Sequence, residues 1–235
     1  MGYYPSVCAQ QHFWQEVQRL IHDGAKRWCD VGGGAKPVLN PGQIERRRLD
    51  YVLLDASQRQ LDRAPGAYVK VCADILDASA TSELLAGGGP FDVVVSRWTA
   101  EHVADGRRFH EAIFQVLAPG GSAVHFFPTL YSLPFVANLL LPPALSGALL
   151  RYAEPGRTAK FAPHYKWCRG PTRRQLRRLQ SVGYTVERYA GYFGHHFYDS
   201  APPLHRVHRA VSARLVAHPL PALTSFALVV LRRPA

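Results

Sequence analysis

Apolar and polar positions divide this chain into short units of two periods. Residues 13, 14, 17, 20 and 21 are apolar at three- and four-residue spacing, which predicts an amphipathic helix ended near Gly24. That helix either caps a sheet formed by the rest of the chain or covers a ligand crevice in it. Brief apolar runs come next, each bounded by Gly, Pro or polar residues. They are Arg27-Trp28-Cys29-Asp30-Val31, Tyr51-Val52-Leu53-Leu54-Asp55, 68–72, Phe91-Asp92-Val93-Val94-Val95-Ser96 and 122–127. Runs this short and this rich in β-branched residues predict strands, and the unbroken 91–96 run predicts one in the middle of a parallel sheet. Helices are expected between them over 40–48, 58–63, 79–85 and 105–117. For the first of these, Asn40 is placed to cap and Pro41 to start the helix.

Strands alternating with helices predict an α/β doubly wound sheet, mostly parallel. Ligands of such sheets bind beyond the carboxyl ends of the strands. Asp30, Asp55, Asp74 and Ser96 lie at or just past four such ends. The glycine run 32–34 comes after the first strand, where bare backbone lets amide groups approach a ligand closely. Polar groups at successive strand ends predict one shared crevice.

Beyond 127 the pattern changes. Residues 128–150 carry no formal charge and are strongly apolar, long enough for a membrane span, yet prolines at 134, 142 and 143 break them into shorter segments. The expectation is an apolar insertion after the fifth strand that lines a pocket or touches a bilayer surface. A basic helix over 172–182 keeps Leu176, Leu179 and Val182 inward. Strands at 184–189 and 225–231, with a helix around 204–216 between them, are expected to close the sheet as an antiparallel pair. The whole reads as one domain: a core at 25–128, an insertion at 129–170 and a C-terminal section at 171–235.

Charge adds one constraint. The formal net charge is +11 and the pI about 9.8, which suits an anionic partner such as nucleic acid, an acidic membrane surface or an anionic substrate. A general surface bias without any partner accounts for it as well. Cys8, Cys29, Cys72 and Cys168 are far apart and form no C-x-x-C pair, so no zinc site is expected. Cys29 and Cys72 fall in strand patterns and are expected to be buried. His195, His196, His205 and His208 are irregularly spaced, and no metal is expected there either. No basic-then-apolar leader is read at the N-terminus, which suggests a reducing, cytoplasmic setting, with peripheral membrane contact left open.

In motif order the chain resembles the class I S-adenosylmethionine-dependent methyltransferases, in the small-molecule branch labelled type 11 or 25. The resemblance is carried by Asp30-Val31-Gly32-Gly33-Gly34-Ala35-Lys36, Leu53-Leu54-Asp55-Ala56-Ser57, Ala73-Asp74-Ile75-Leu76, the 91–96 strand with Glu101-His102-Val103 after it, and Val116-Leu117-Ala118-Pro119-Gly120-Gly121. Lys36 stands where a third glycine is usual. The resemblance implies a Rossmann-like sheet of seven strands with an antiparallel C-terminal strand, and S-adenosyl-L-methionine as cofactor. It implies that Asp30, Gly32, Gly33 and Gly34 hold the methionine end. Asp55 with Ala56 would meet the ribose, Asp74 and Ile75 would frame the adenine, and Ser96 and Arg97 would complete the site. A carboxylate accepting from two ribose hydroxyls is a charge-assisted arrangement. A nicotinamide dinucleotide fits less well, because Pro37 occupies the position of its third fingerprint glycine.

Methyl transfer from a sulfonium needs positioning first, and a base only for a hydroxyl or acidic carbon acceptor. His102 is the candidate base, with packing or hydrogen bonding as its other reading. Trp98, Tyr131, Tyr165 and Trp167 are candidate pocket residues for a small or lipid-like acceptor. Two other classes stay open: an RNA methyltransferase, suggested by the basic charge, and a non-catalytic binding module. No Asp/Asn-Pro-Pro-Tyr/Phe motif comes after the 91–96 strand, which argues against nucleic acid.

Overall fold

The structure is a computed structural model and describes residues 1–130, 163–199 and 202–235. Its centre is an eight-stranded sheet in the order β1-β7-β8-β6-β5-β2-β3-β4. The strands are β1 (Gly2–Pro5), β2 (Arg27–Val31), β3 (Asp50–Asp55), β4 (Val69–Cys72), β5 (Phe91–Arg97), β6 (Leu117–Pro128), β7 (Thr185–Phe193) and β8 (Phe226–Arg232). β8 runs antiparallel between β6 and β7, and the other pairings are parallel. The described helices are α1 (Ala9–His22), α2 (Pro41–Arg47), α3 (Gln58–Leu61), α4 (Ala78–Ala86), α5 (Gly106–Val116), α6 (Arg173–Gln180) and α7 (Pro202–Ala217).

The expected alternation and the antiparallel C-terminal pair are present, but the sheet has eight strands where seven were expected. The additional one is β1, which pairs in parallel with β7 through Gly2–Ala190 to Pro5–Phe193. A four-residue Gly-Tyr-Tyr-Pro strand is too short to show a period, and its proline sits at the end of an edge strand, where no continuing ladder is required. Cys72 is the second correction. It is exposed, whereas Cys29 is buried. β4 is an edge strand with half-open faces, so an apolar pattern there does not bring burial.

Central strands behave as their composition requires. Val93, Val94 and Val95 are all buried, as are Ala123 and Val124. Neighbouring residues of a strand point to opposite faces, so both faces of the sheet are covered there. The Pro119-Gly120-Gly121 turn lies inside β6 as an irregularity, where pairing with β5 shifts between Phe91 and Val93. Asp92 accepts from the backbone N–H of Lys26 and Arg27 at 2.8 and 2.9 Å, tying the start of β2 to β5. α2 starts where expected: Asn40 and Gln43 make a reciprocal capping box, with Pro41 as the first helical residue.

α1 is tied to β7 by charge. Glu16 takes a bond from Arg19 at 2.9 Å and another from Arg188 of β7. Arg19 and Arg232 both approach Glu187. Among the described residues no helix is long and apolar enough to cross a membrane. Most of the apolar stretch at 128–150, and most of the 129–170 insertion, lies outside the described residues.

Candidate active site

Chain order decides where a ligand fits. From β2 the chain steps outward through β3 and β4, then returns to place β5 on the other side of β2. The switch point therefore lies between β2 and β5, at their carboxyl ends, and this is where α/β sheets of this kind bind ligands.

At that point sits Asp30, fully buried. Its Oδ2 accepts from Tyr51 OH at 2.6 Å and from the Val38 N–H at 2.7 Å. The Tyr51 oxygen also accepts from the Leu39 N–H at 3.3 Å, and Tyr68 OH donates to the Leu39 carbonyl at 2.8 Å. This second layer fixes the carboxylate plane. The other oxygen, Oδ1, is buried with no hydrogen-bond partner among the described residues. Burial pushes the Asp30 carboxyl up to about 6, against the opposing pull of Tyr51, Val38 and the nearby Arg97 guanidinium. A buried carboxylate with one unanswered oxygen is costly unless a cation or donor meets it.

The glycine turn passes directly over this group. Gly32 has φ +75° and donates its N–H to Leu54 O at 2.7 Å, and Gly34 has φ +37°. Both lie in the left-handed region that side chains resist. A Cβ on Gly32 would run into Thr99. On Gly33 it would lie 2.5 Å from both Asp30 Oδ2 and Leu53 Cδ1, and on Gly34 2.6 Å from Asp55 Oδ2. Backbone alone fits between these side chains. Lys36 is exposed, and its N–H closes a turn on Gly33 O at 2.8 Å. No helix begins until Pro41, so the usual demand for glycine at a tight helix start does not apply at position 36.

The other strand-end residues differ in burial and in partners. Asp55 is half-buried, takes the Ser57 N–H on Oδ1 at 2.8 Å, and has its carboxyl raised by burial. Ala56 is exposed beside it. Asp74 is exposed with Oδ1 on the Leu76 N–H at 2.9 Å, and Ile75 next to it is buried. Ser96 is buried, and its Oγ is 2.8 Å from His125 Nδ1, so its hydroxyl is already engaged within the sheet. Arg97 spans the crevice. It donates to Lys36 O at 3.4 Å, and its guanidinium stands 5.7 Å over the Trp14 ring of α1. The first helix caps the sheet, with Phe13 against Phe126 of β6, and through Trp14 it also reaches the crevice.

Trp98 comes next with φ +59°, a left-handed conformation rare for a bulky residue. Its ring packs edge-on against Phe126 and Phe226 at 4.8 and 5.4 Å. His102 closes a short turn through its N–H on Thr99 O, with Nε2 3.8 Å from Glu101 Oε1. The Glu101 carbonyl accepts from the N–H groups of His164 and Tyr165 at 2.8 and 2.9 Å, which brings the buried Tyr165 to the His102 turn. Trp167 sits against the His110 ring and under Arg178. Tyr131 lies outside the described residues. Among the described residues no group of three metal-ligating side chains converges.

Three groups at the site lacked any sequence signal. Thr99, Tyr51 and the Val38 N–H matter only because the fold brings them to Gly32 and Asp30. Tyr51 was visible as a strand residue, but nothing local marks its hydroxyl as the partner of an acid on the neighbouring strand.

A family profile described as a methyltransferase domain matches residues 8–209. The chain belongs to the S-adenosylmethionine-dependent methyltransferase family. A ubiquinone biosynthesis O-methyltransferase from Caulobacter vibrioides is 31% identical over 151 residues, 60% of this chain. That match spans 58% of the relative's length. Among solved structures, a SAM-dependent methyltransferase from Archaeoglobus fulgidus superposes with a TM-score of 0.55 at 14% identity, covering 93% of this chain and 92% of that one. The N-methyltransferase NodS from Bradyrhizobium japonicum WM9, solved with S-adenosylhomocysteine, gives 0.51 at 14% identity, covering 96% and 87%. At such identities the superpositions establish the fold. The family's cofactor, S-adenosyl-L-methionine, matches the donor set: an unanswered buried carboxylate oxygen, a side-chain-free turn and a second acid facing that turn.

Proposed function

We propose that this methyltransferase transfers a methyl group from S-adenosyl-L-methionine to a small or lipid-like acceptor held above the carboxyl edge of the sheet. The observation that carries this reading is Asp30, whose buried Oδ1 has no partner among the described residues. The methionine end of the cofactor offers it an ammonium, directly or through water. When bound, the cofactor supplies an electrophilic methyl on a positively charged sulfur.

The chain's own groups then divide the work. The amides of Gly32, Gly33 and Gly34 border the methionine end. Asp55, which takes the Ser57 N–H on one oxygen, accepts from the ribose hydroxyls with the other, beside Ala56. Asp74 and Ile75 take the adenine edge and face. Arg97 lies near Asp30 and suits the cofactor's carboxylate. The Ser96–His125 bond holds the end of β5, so Ser96 acts by positioning that strand end. Trp98 and Tyr165 are apolar walls for the acceptor, and Tyr131 and Trp167 are assigned to the same pocket. His102 takes the proton when the acceptor is a hydroxyl.

The relative in ubiquinone biosynthesis is named an O-methyltransferase, which supports oxygen on a lipid-like molecule as the first acceptor to test. Titration calorimetry with S-adenosylmethionine tests the reading, with transfer of labelled methyl to quinol-type phenols as the second step. Saturable cofactor binding and label transfer are expected. A flat titration overturns the enzyme reading.

A further inference from the structure

α7 is an anomaly for a 16-residue helix of a folded domain, because none of its residues is buried. Leu204, Val207 and Val211 recur at three- and four-residue spacing along one face and are 47, 61 and 52% exposed. Exposed Leu220 and Leu223 continue the apolar surface beyond its end, at 55 and 43%. Arg214 lies beside Val207 at the edge of this stripe, and Arg206 and Arg209 are exposed on the helix's polar face. The sequence from 200 to 235 contains no acid, and Asp199, just before it, is ion-paired with His205.

The helix is seated on the domain through the flank next to this stripe. The His208 ring stacks on His195 at 3.9 Å, and His208 Nε2 lies 3.1 Å from the His195 backbone nitrogen. Ser212 of α7 and Ser6 after β1 both pack at Gly194.

Its location gives the face a meaning. β7 runs parallel to β1 and antiparallel to β8, which in turn runs antiparallel to β6. The carboxyl ends of β1 and β7 therefore lie on the same edge of the sheet as the glycine turn and Trp98. α7 comes after β7 at that edge.

We propose that α7 docks on an anionic lipid bilayer, apolar stripe down, with Arg214 at the headgroups and Arg206 and Arg209 on the polar face above them, and with the crevice edge of the sheet facing the membrane. An apolar stripe with arginines on the polar face and no acid within the helix suits an interfacial helix. Each arginine near an anionic surface contributes about fivefold in partitioning. A second copy of this chain is a poorer occupant. A two-fold contact would set this basic face against itself, and the acid beside it, Asp199, is already paired with His205. The contact stands on its own geometry; only its purpose, drawing a lipid-like acceptor from the bilayer, rests on the proposed methyl transfer.

The test is cosedimentation of the full chain with vesicles of equal phosphatidylglycerol and phosphatidylcholine, and with phosphatidylcholine alone. Partitioning to the anionic vesicles is expected, weakening as salt rises. Val207→Asp with Val211→Asp is expected to reduce it at least roughly tenfold, and Arg214→Glu by about fivefold or more. Both variants change exposed residues and are expected to keep the wild-type melting midpoint and cofactor affinity. Equal binding to both vesicle types overturns the proposal, as does unchanged binding of the Val207/Val211 variant. So does sedimentation showing a wild-type dimer that this variant converts to monomer. A chain that binds cofactor but not vesicles refutes the docking alone, and one that binds vesicles but not cofactor refutes the enzyme reading alone.

Discussion

Replacing Asp30 with asparagine separates what the carboxylate costs from what it does. In the folded protein the group titrates at about 6, against an ordinary value of 3.8, and burial is the main cause. Each pH unit of displacement is worth about 1.4 kcal/mol. The ionised carboxylate therefore costs the cofactor-free fold roughly 3 kcal/mol at neutral pH. Between the two values the folded protein holds a proton that the unfolded chain has released. Stability of the cofactor-free protein should thus fall as pH rises from about 4 to about 6 and change little from this group above that. Asparagine keeps an oxygen able to accept from both Tyr51 and Val38 but carries no charge. The expected outcome for Asp30→Asn is a variant more stable than wild type at pH 7.5, by up to about 3 kcal/mol, with the acid-side slope reduced. Cofactor affinity should fall at least about tenfold, because the ammonium loses its counter-charge. Urea unfolding from pH 4.5 to 8 and calorimetry with S-adenosylmethionine read the two effects. A variant less stable than wild type at pH 7.5, with an unaltered pH slope, would refute the account of a destabilised buried charge.

Three further outcomes are expected from the same geometry. Gly33→Ala places a methyl 2.5 Å from Asp30 Oδ2 and should weaken cofactor binding by about tenfold or more while costing about 1–3 kcal/mol of stability; equal affinity in calorimetry would show that the turn is not tightly fitted. Asp55→Ala should weaken S-adenosylmethionine by about 10- to 100-fold through lost charge-assisted bonds, with a much smaller effect on the melting midpoint. His102→Ala should lower kcat about 100-fold or more on a hydroxyl acceptor while leaving cofactor affinity within about twofold; steady-state kinetics with an unchanged kcat would remove His102 as a base.

Much of the architecture was legible along the chain, because burial imposes a local period. β5 is continuously apolar since both faces are covered, and α2 announces its start through Asn40 and Pro41. The acids Asp30 and Asp55 could be placed at strand ends without coordinates, since a strand that leaves the core must end in something polar. Edges were harder. β1 is four residues long and exists because β7 offers it an open edge. Cys72 lies in a strand pattern but on the exposed flank of the sheet. Neither fact is local, so neither has a periodic signature.

The same division runs through the site. The sequence alone determined that acids and a glycine turn meet at the ends of neighbouring strands, because side-chain-free backbone and terminal carboxylates have few other uses in that order. Only the tertiary structure decided which Asp30 oxygen is taken and which is left open, since Val38, Tyr51 and Thr99 reach the turn by folding rather than by proximity in the chain. It also decided that Ser96 spends its hydroxyl on His125 and that α7 keeps its apolar face outward. Hydrogen bonds between distant residues and the exposure of a helix face are properties of the packed molecule, and a one-dimensional pattern records only how strongly each segment needs to be covered.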